Sequence, residues 1–245
     1  MIRTACGALI AFFFLTIGTP MLWIENIKRK HNKDKADLSS LRIVQRTFCG
    51  IWKACNVDLT VIGEERLPKG RPVLYVCNHQ SFFDIIIGYT LRRELTGYIS
   101  KDSIGKVITL RKWMERLYCL FIDRDNPKQA LRIISKAIDQ INAGISMCVF
   151  PEGTRNHSDE LLPFKGGLLR IAEKTGCPVV PMAISNTDHI VSDNKPVSKK
   201  TPVIIEYGEP IYTETMSRAE RKQLAAITQR ELQKILDKNR ALLYK

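Results

Sequence analysis

Acidic residues are scarce in this chain. Of its 245 residues, 25 are Asp or Glu against 38 Lys or Arg, a formal net charge of +13. Such an imbalance points to a polyanionic partner: nucleic acid, an anionic membrane surface or a phosphorylated substrate. Histidine is scarcer still, with four residues, and no Cys/His cluster has metal-ligand spacing. No C-x-x-C pair occurs either. The seven cysteines are odd in number and irregularly spaced, which argues against a disulfide framework and for a reduced, cytosolic setting. Those in apolar runs such as "VLYVCN" and "SMCVF" read as small core residues. Internal repeats, low-complexity stretches and recognisable nucleic-acid-binding motifs are also missing. Much of the excess charge is therefore assigned to membrane and phosphate, and no nucleic-acid partner is expected.

What is there begins with a long uncharged run. Between Thr4 and Ile24 the chain reads "TACGALIAFFFLTIGTPMLWI", about the 20 residues that cross a bilayer as a helix. A secretory signal is the competing reading, but no A-x-A-like cleavage site follows. Gly18-Thr19-Pro20 interrupts the run, so a half-inserted segment is as compatible as a full span. The basic stretch "KRKHNKDK" comes next and suits anionic headgroups on the cytoplasmic side. Leu41, Val44, Phe48, Ile51, Trp52 and Cys55 then recur at helical spacing with Arg42, Arg46 and Lys53 between them. That helix either packs on its own domain or lies at the membrane interface beside the first. Residues 1–57 are read as membrane-anchoring helices, single-pass or monotopic, on the cytoplasmic side of the cell membrane.

From residue 58 to 245 the pattern changes to one α/β domain. "VDLTVIG", "PVLYVCN", "TGYIS", "YCLFID", "ISMCVF", "PVVPMAI" and "TPVIIEYG" read as strands, the last after a polar loop rich in Ser, Asp and Lys. Helices are expected over "FFDIIIGYTLRREL", "GKVITLRKWMERL", "NPKQALRIISKAIDQINAG", "GGLLRIAEKTG" and from about Ser217 onward. The third has Asn126 as cap, Pro127 at the first helical position and an apolar face of Leu131, Ile134, Ile138 and Ile141. Alternating strands and helices imply a mixed, largely parallel sheet flanked by helices.

Loops at the carboxyl ends of strands form the usual crevice of such a sheet, and the suspicious residues fall there. In "NHQSFFD", Ser81 and Asp84 fit a capping box ahead of an apolar run. The same turn can fold Asp84 back onto His79, fixing its tautomer and freeing the other ring nitrogen to take a proton. The two readings are compatible. In "FPEGTRN", Arg155 suits bidentate contact with a phosphate, Gly153 allows close backbone approach, and Glu152 can orient the arginine or bind a polar substrate group. Gly166-Gly167 in "FKGGLL" precedes a helix, a weak anion-site signal. Lys101 and Arg124 are further cations after strands.

These blocks resemble those of the glycerolipid acyltransferases. "NHQSFFD" matches their N-H-x(4)-D signature, "FPEGTRN" is similar to F-P-E-G-T-R-S, and "LFIDR" and "VVPMAI" resemble two further blocks, in the same order and at similar separations. The resemblance covers about Pro72 to Ile184. It departs at Tyr118, where glycine is usual, and at Asn156, where serine is common. The group it most resembles acylates the sn-2 hydroxyl of 1-acylglycerol 3-phosphate (lysophosphatidic acid) to give phosphatidic acid. The resemblance implies His79 and Asp84 as the catalytic pair, and Glu152, Gly153, Thr154 and Arg155 as the acceptor-binding block. Lys101 and Arg155, with Arg124 less firmly, are assigned to the acceptor phosphate. Acyl-CoA or acyl-carrier protein would be the co-substrate, with no metal or other cofactor. Glycerol 3-phosphate or another lysolipid as acceptor, or a catalytically silent lipid-binding protein, are the alternatives.

Overall fold

A computed structural model describes residues 2–190 and 200–243. Most of the polar loop expected before "TPVIIEYG", residues 191–199, lies outside the described residues. The chain opens with a helical hairpin, α1 (Ile2–His31) and α2 (Lys33–Ala54). Seven strands follow among the described residues: β1 (Val57–Ile62), β2 (Leu74–Cys77), β3 (Thr96–Lys101), β4 (Leu120–Ile122), β5 (Ser146–Val149), β6 (Val179–Ser185) and β7 (Thr201–Tyr207). Their order across the sheet is β1-β7-β6-β2-β5-β3-β4. Every neighbouring pair is parallel except β6 with β7. The mixed, largely parallel sheet expected from the alternation is therefore present.

Between strands run α3 (Phe83–Thr90), α4 (Ile108–Arg116), α5 (Pro127–Asn142) and α6 (Arg170–Thr175). The chain closes with α7 (Arg218–Lys222) and α8 (Leu224–Leu243). Successive strand residues point to opposite faces, and β2 shows it. Tyr75 and Cys77 pack with residues of α1 to α4, such as Leu22, Leu41, Val44, Ile87 and Trp113. Leu74 and Val76 pack on the other face with Ile133 of α5, Ile171 of α6 and Leu224 of α8. A sheet covered on both faces by helices is the setting in which parallel strands become continuous apolar runs.

Four local expectations change in detail. The apolar run holding Pro20 stays helical, because α1 continues through that residue. Trp113 of α4 lies so close that its indole N–H donates to the Gly18 carbonyl at 3.1 Å, and a Cβ at Gly18 would stand 2.8 Å from that nitrogen. The helix expected over residues 82–95 stops at Thr90. Gln45 of α2 donates to the freed carbonyls of Tyr89 (3.0 Å) and Arg92 (2.6 Å), and Arg92 turns inward to stack on Tyr75, 4.0 Å from the ring centroid. The final helix divides at Gln223, with Ser217 and Glu220 forming a capping box ahead of α7. On α5 the Asn126 cap and Pro127 start are as read from sequence, but the buried stripe is centred on Ile133, Ala137 and Ile141, and Leu131 is 58% exposed.

In α2 the stripe of Leu41, Val44, Ile51 and Cys55 is buried against the rest of the chain. Phe48 meets Tyr89 of α3 edge to face at 6.0 Å. This helix turns its apolar side inward, and its exposed side carries Arg42, Arg46 and Lys53. The outward apolar surface belongs to α1.

The α5 stripe yields a paired test. Ile133→Ala should cost about 2–4 kcal/mol, and Leu131→Ala should stay within about 0.5 kcal/mol. Denaturant unfolding reads both; equal losses would contradict the observed face.

Candidate active site

The parallel strands β2, β5, β3 and β4 end on the same edge of the sheet, in that spatial order. The loop after β2 carries His79. Asn78 fixes that loop first: its amide donates to the Ile184 carbonyl and accepts from the Ile184 N–H, both at 2.8 Å. The turn then brings Asp84, in the first turn of α3, back against the histidine. His79 Nδ1 lies 2.7 Å from Asp84 Oδ2. The same carboxylate oxygen accepts the backbone N–H groups of Gln80 (2.7 Å) and Ser81 (2.9 Å). Ser81 Oγ accepts from the Phe83 N–H at 3.1 Å, but Phe82 stands at the helix cap without a side-chain cap bond. Of the expected capping box only the Ser81 N–H to Asp84 half forms, with the same Asp84 oxygen turned to the histidine.

Asp84 is fully buried. Its second oxygen, Oδ1, accepts the hydroxyl of Thr187, which lies in the loop after β6. A carboxylate held by so many donors offers only acceptor oxygens, so the imidazole nitrogen facing it, Nδ1, carries the proton. Nε2 then keeps its lone pair. The imidazole is stacked on Phe150 with centroids 4.3 Å apart, and its side chain is 15% exposed.

The loop after β5 packs beside this turn. Glu152 is buried and its carboxylate is fully engaged. Oε1 accepts the His79 N–H at 3.1 Å, and Oε2 accepts the Asn156 amide at 2.9 Å and the Leu162 N–H at 3.0 Å. Glu152 therefore ties the two loops together; its partners are backbone and Asn156, and Arg155 is not among them. Asn156 adds a direct link, its backbone N–H donating to the His79 carbonyl at 2.7 Å.

Gly153 has φ +77, and an added Cβ would stand 2.9 Å from Lys165 Nζ. The positive φ is what favours glycine here, since the lysine's flexible end can move aside. Thr154 and Arg155 are exposed. The Arg155 guanidinium lies 4.0 Å from the centroid of Phe82, in the His79 turn.

The structure brings His79, Asp84 and the 152–156 loop together. Lys101, at the end of β3, stands on the same edge two strands from β2, about 10 Å away by strand spacing. Arg124 follows β4, one strand further still. Thr187, Phe150 and Lys165 complete the surroundings and were not singled out by sequence reasoning. The Thr187 contact spans 103 positions, so no local pattern could announce it.

Behind Phe82 opens an apolar cavity of about 280 Å³. Phe14 of α1, Phe48 of α2, Ile85 of α3, Trp113 of α4 and Tyr98 of β3 are among its walls. The N-terminal hairpin thus encloses a chamber adjoining the His79 turn. A lining of this kind takes an apolar chain.

Glu152→Gln replaces one of two acceptor oxygens by a donor among three N–H groups. It should cost about 1–3 kcal/mol and speed hydrogen exchange at the His79 amide; unchanged exchange would contradict the strut.

Comparisons with known proteins bear on the family and the fold. The Acyltransferase family model matches residues 58–185. The 1-acyl-sn-glycerol-3-phosphate acyltransferase of Saccharomyces cerevisiae is 32% identical over 72% of this chain and 59% of its own. The protein of the same name from Haemophilus influenzae is 28% identical over 77% and 78%. The chain spans about half the length of several curated relatives, including 53% of the Cocos nucifera 1-acyl-sn-glycerol-3-phosphate acyltransferase. The crystal structure of the 1-acyl-sn-glycerophosphate (LPA) acyltransferase PlsC from Thermotoga maritima superposes with a TM-score of 0.82, at 26% identity, over 98% of this chain and 95% of that one. With the family model matched over more than half of its length and a relative 32% identical over 72% of it, this chain belongs to the acyltransferase family.

Proposed function

We propose that this chain transfers a fatty acyl group from a thioester, acyl-CoA or acyl-carrier protein, to the sn-2 hydroxyl of 1-acylglycerol 3-phosphate, giving phosphatidic acid. The observation that carries the reading is the His79–Asp84 contact of 2.7 Å beside an exposed arginine and an apolar chamber. The names of the relatives support the acceptor.

His79 Nε2 takes the proton from the acceptor hydroxyl, and the oxygen attacks the thioester carbonyl. Asp84 stabilises the imidazolium that results. The tetrahedral intermediate collapses, the carbon–sulfur bond breaks, and the imidazolium returns its proton to the leaving thiolate. The activated nucleophile belongs to the substrate, so the reaction as written needs no acyl-enzyme, metal or redox cofactor. Cys77, two residues before His79, is fully buried. Burial, with the neighbouring Cys148 thiol, pushes its pKa well above the ordinary thiol range, which suits a core residue and not a nucleophile. Arg155 and Lys101 hold the acceptor phosphate, with Arg124 further out on the same rim. Gly153 and Thr154 shape the loop, and the fatty chain lies in the apolar chamber.

The same reading places residues 1–57 at a membrane, with 58–245 as the catalytic domain. The segment Ala5–His31 is long and apolar enough to cross a bilayer. One face of α1 packs on the rest of the chain through Leu22, while Leu9, Phe12, Phe13, Ile17, Trp23 and Ile24 face outward. Phe82 and Ile108 extend the exposed apolar surface near the site. A monotopic placement on the cytoplasmic side accounts for both the outward stripe and the basic residues after it. Lipid acceptor and product then exchange with the bilayer directly.

Thiol release by the purified chain, crossing acyl-CoA and acyl-carrier protein with lysophosphatidate, glycerol 3-phosphate and other lysolipids, tests the reading. Lysophosphatidate should support release. His79→Ala should reduce it about 10²–10⁴-fold, and Cys77→Ala should retain it. Arg155→Ala should raise the acceptor KM about ten- to a hundredfold. Loss of activity in the cysteine variant with a functional histidine variant would overturn the mechanism; another preferred acceptor would redirect the substrate assignment.

A further inference from the structure

A groove of about 440 Å³ separates α1 from α4, and none of its lining residues belongs to the loops after β2 or β5. Trp23, Asn26 and Arg29 line it from α1, and Lys112, Glu115 and Arg116 from α4. Its floor carries a surplus of positive charge. Arg116 is 5% exposed. Its Nε donates to Ser40 Oγ at 2.9 Å and its Nη2 to the Glu25 carbonyl at 3.2 Å. Its Nη1 lies 3.2 Å from Asp37 Oδ1 but makes no hydrogen bond of good geometry. Arg29 Nε reaches the same Asp37 oxygen at 3.0 Å. Two guanidinium groups therefore share one buried carboxylate, which also accepts the Tyr118 hydroxyl.

The other acids nearby are taken. Glu115 pairs with Arg111 at 2.9 Å, and Glu25 with Lys28 at 2.6 Å. Lys112 is exposed and pairs with no carboxylate among the described residues. Burial lowers the Arg116 pKa from its ordinary value, with Asp37 and Glu25 opposing the shift and Arg29 adding to it.

The position of the groove says what would supply counter-charge. It lies where the outward apolar stripe of α1 gives way to Lys28, Arg29 and Lys30. Trp23, 67% exposed, stands at this boundary, the level at which tryptophan meets lipid headgroups. We infer that the groove binds the headgroup of an anionic phospholipid, its phosphate between Lys112, Arg29 and Arg116 and its acyl chains along the apolar stripe of α1. The groove is larger than a bare phosphate requires, and Asn26 offers a neutral polar partner for the rest of the headgroup. Basic pockets between membrane-facing helices recognise lipid phosphates in this way. The inference rests on the membrane placement proposed above and is independent of the acyl-transfer chemistry.

The test uses the full chain in neutral detergent micelles, with dihexanoylphosphatidylglycerol, dihexanoylphosphatidylcholine and inorganic phosphate as probes and the thermal unfolding midpoint as readout. Phosphatidylglycerol alone should give a saturable upward shift. Lys112→Gln, at an exposed position, should weaken its apparent affinity about fivefold, while Lys53→Gln on α2 leaves it unchanged. An equal shift with phosphatidylcholine, saturation by inorganic phosphate alone, or equal weakening by both substitutions would overturn the proposal. Loss of thiol release would bear on catalysis and leave this binding result untouched.

Discussion

The buried carboxylate of Asp84 is the constraint on which the rest of the site depends. An isolated charge in that position would be costly, and only a full set of donors makes it tolerable. Those donors come from the His79 imidazole, two consecutive backbone N–H groups and a threonine far along the chain. Satisfying the carboxylate therefore dictates the turn between β2 and α3, the tautomer of the histidine and the seating of the loop after β6. The proposed chemistry uses an arrangement that the fold already requires.

Glu152 has a parallel role in the loop after the neighbouring strand, β5. Its oxygens hold the His79 backbone and the 156–162 segment at once. Two buried acids thus knit three loops into one edge, and Arg155 is left free to lie over Phe82. The hairpin of α1 and α2 enters the same assembly. It walls the apolar chamber and is joined to α4 by Trp113 at one level and by the Arg116–Asp37–Arg29 cluster at another. The segment read as a membrane anchor is therefore continuous with the walls of the apolar chamber, and on the proposed reading acceptor access and acyl-chain placement share the same helices.

Much of this was legible in the sequence for identifiable reasons. Strands buried on both faces announce themselves as short apolar runs, and "VLYVC", "SMCVF" and "VVPMAI" all became central strands. The Asn126-Pro127 start and the Gly176 stop use local backbone chemistry that single residues reveal. The His79–Asp84 contact was legible because a cap and a fold-back turn need the same spacing. What escaped depends on distant partners. Leu131 fits a helical period as well as Ile133 does, and only the direction of the sheet decides between them. Glu152 sits close to an arginine in sequence, yet its partners are the His79 backbone in another loop and Asn156 and Leu162 further along its own. The end of α3 at Thr90 depends on Gln45 and on a tyrosine that receives Arg92. Thr187 belongs to the same class of long-range partner.

The central claim is that Asp84 holds the imidazole with its proton on Nδ1 and Nε2 free to act. The most direct measurement is kcat/KM for Asp84→Asn, with acyl donor and lysophosphatidate, alongside its thermal midpoint. The account predicts a folded variant whose kcat/KM falls by about two to four orders of magnitude. A folded variant that retains the full rate would contradict it.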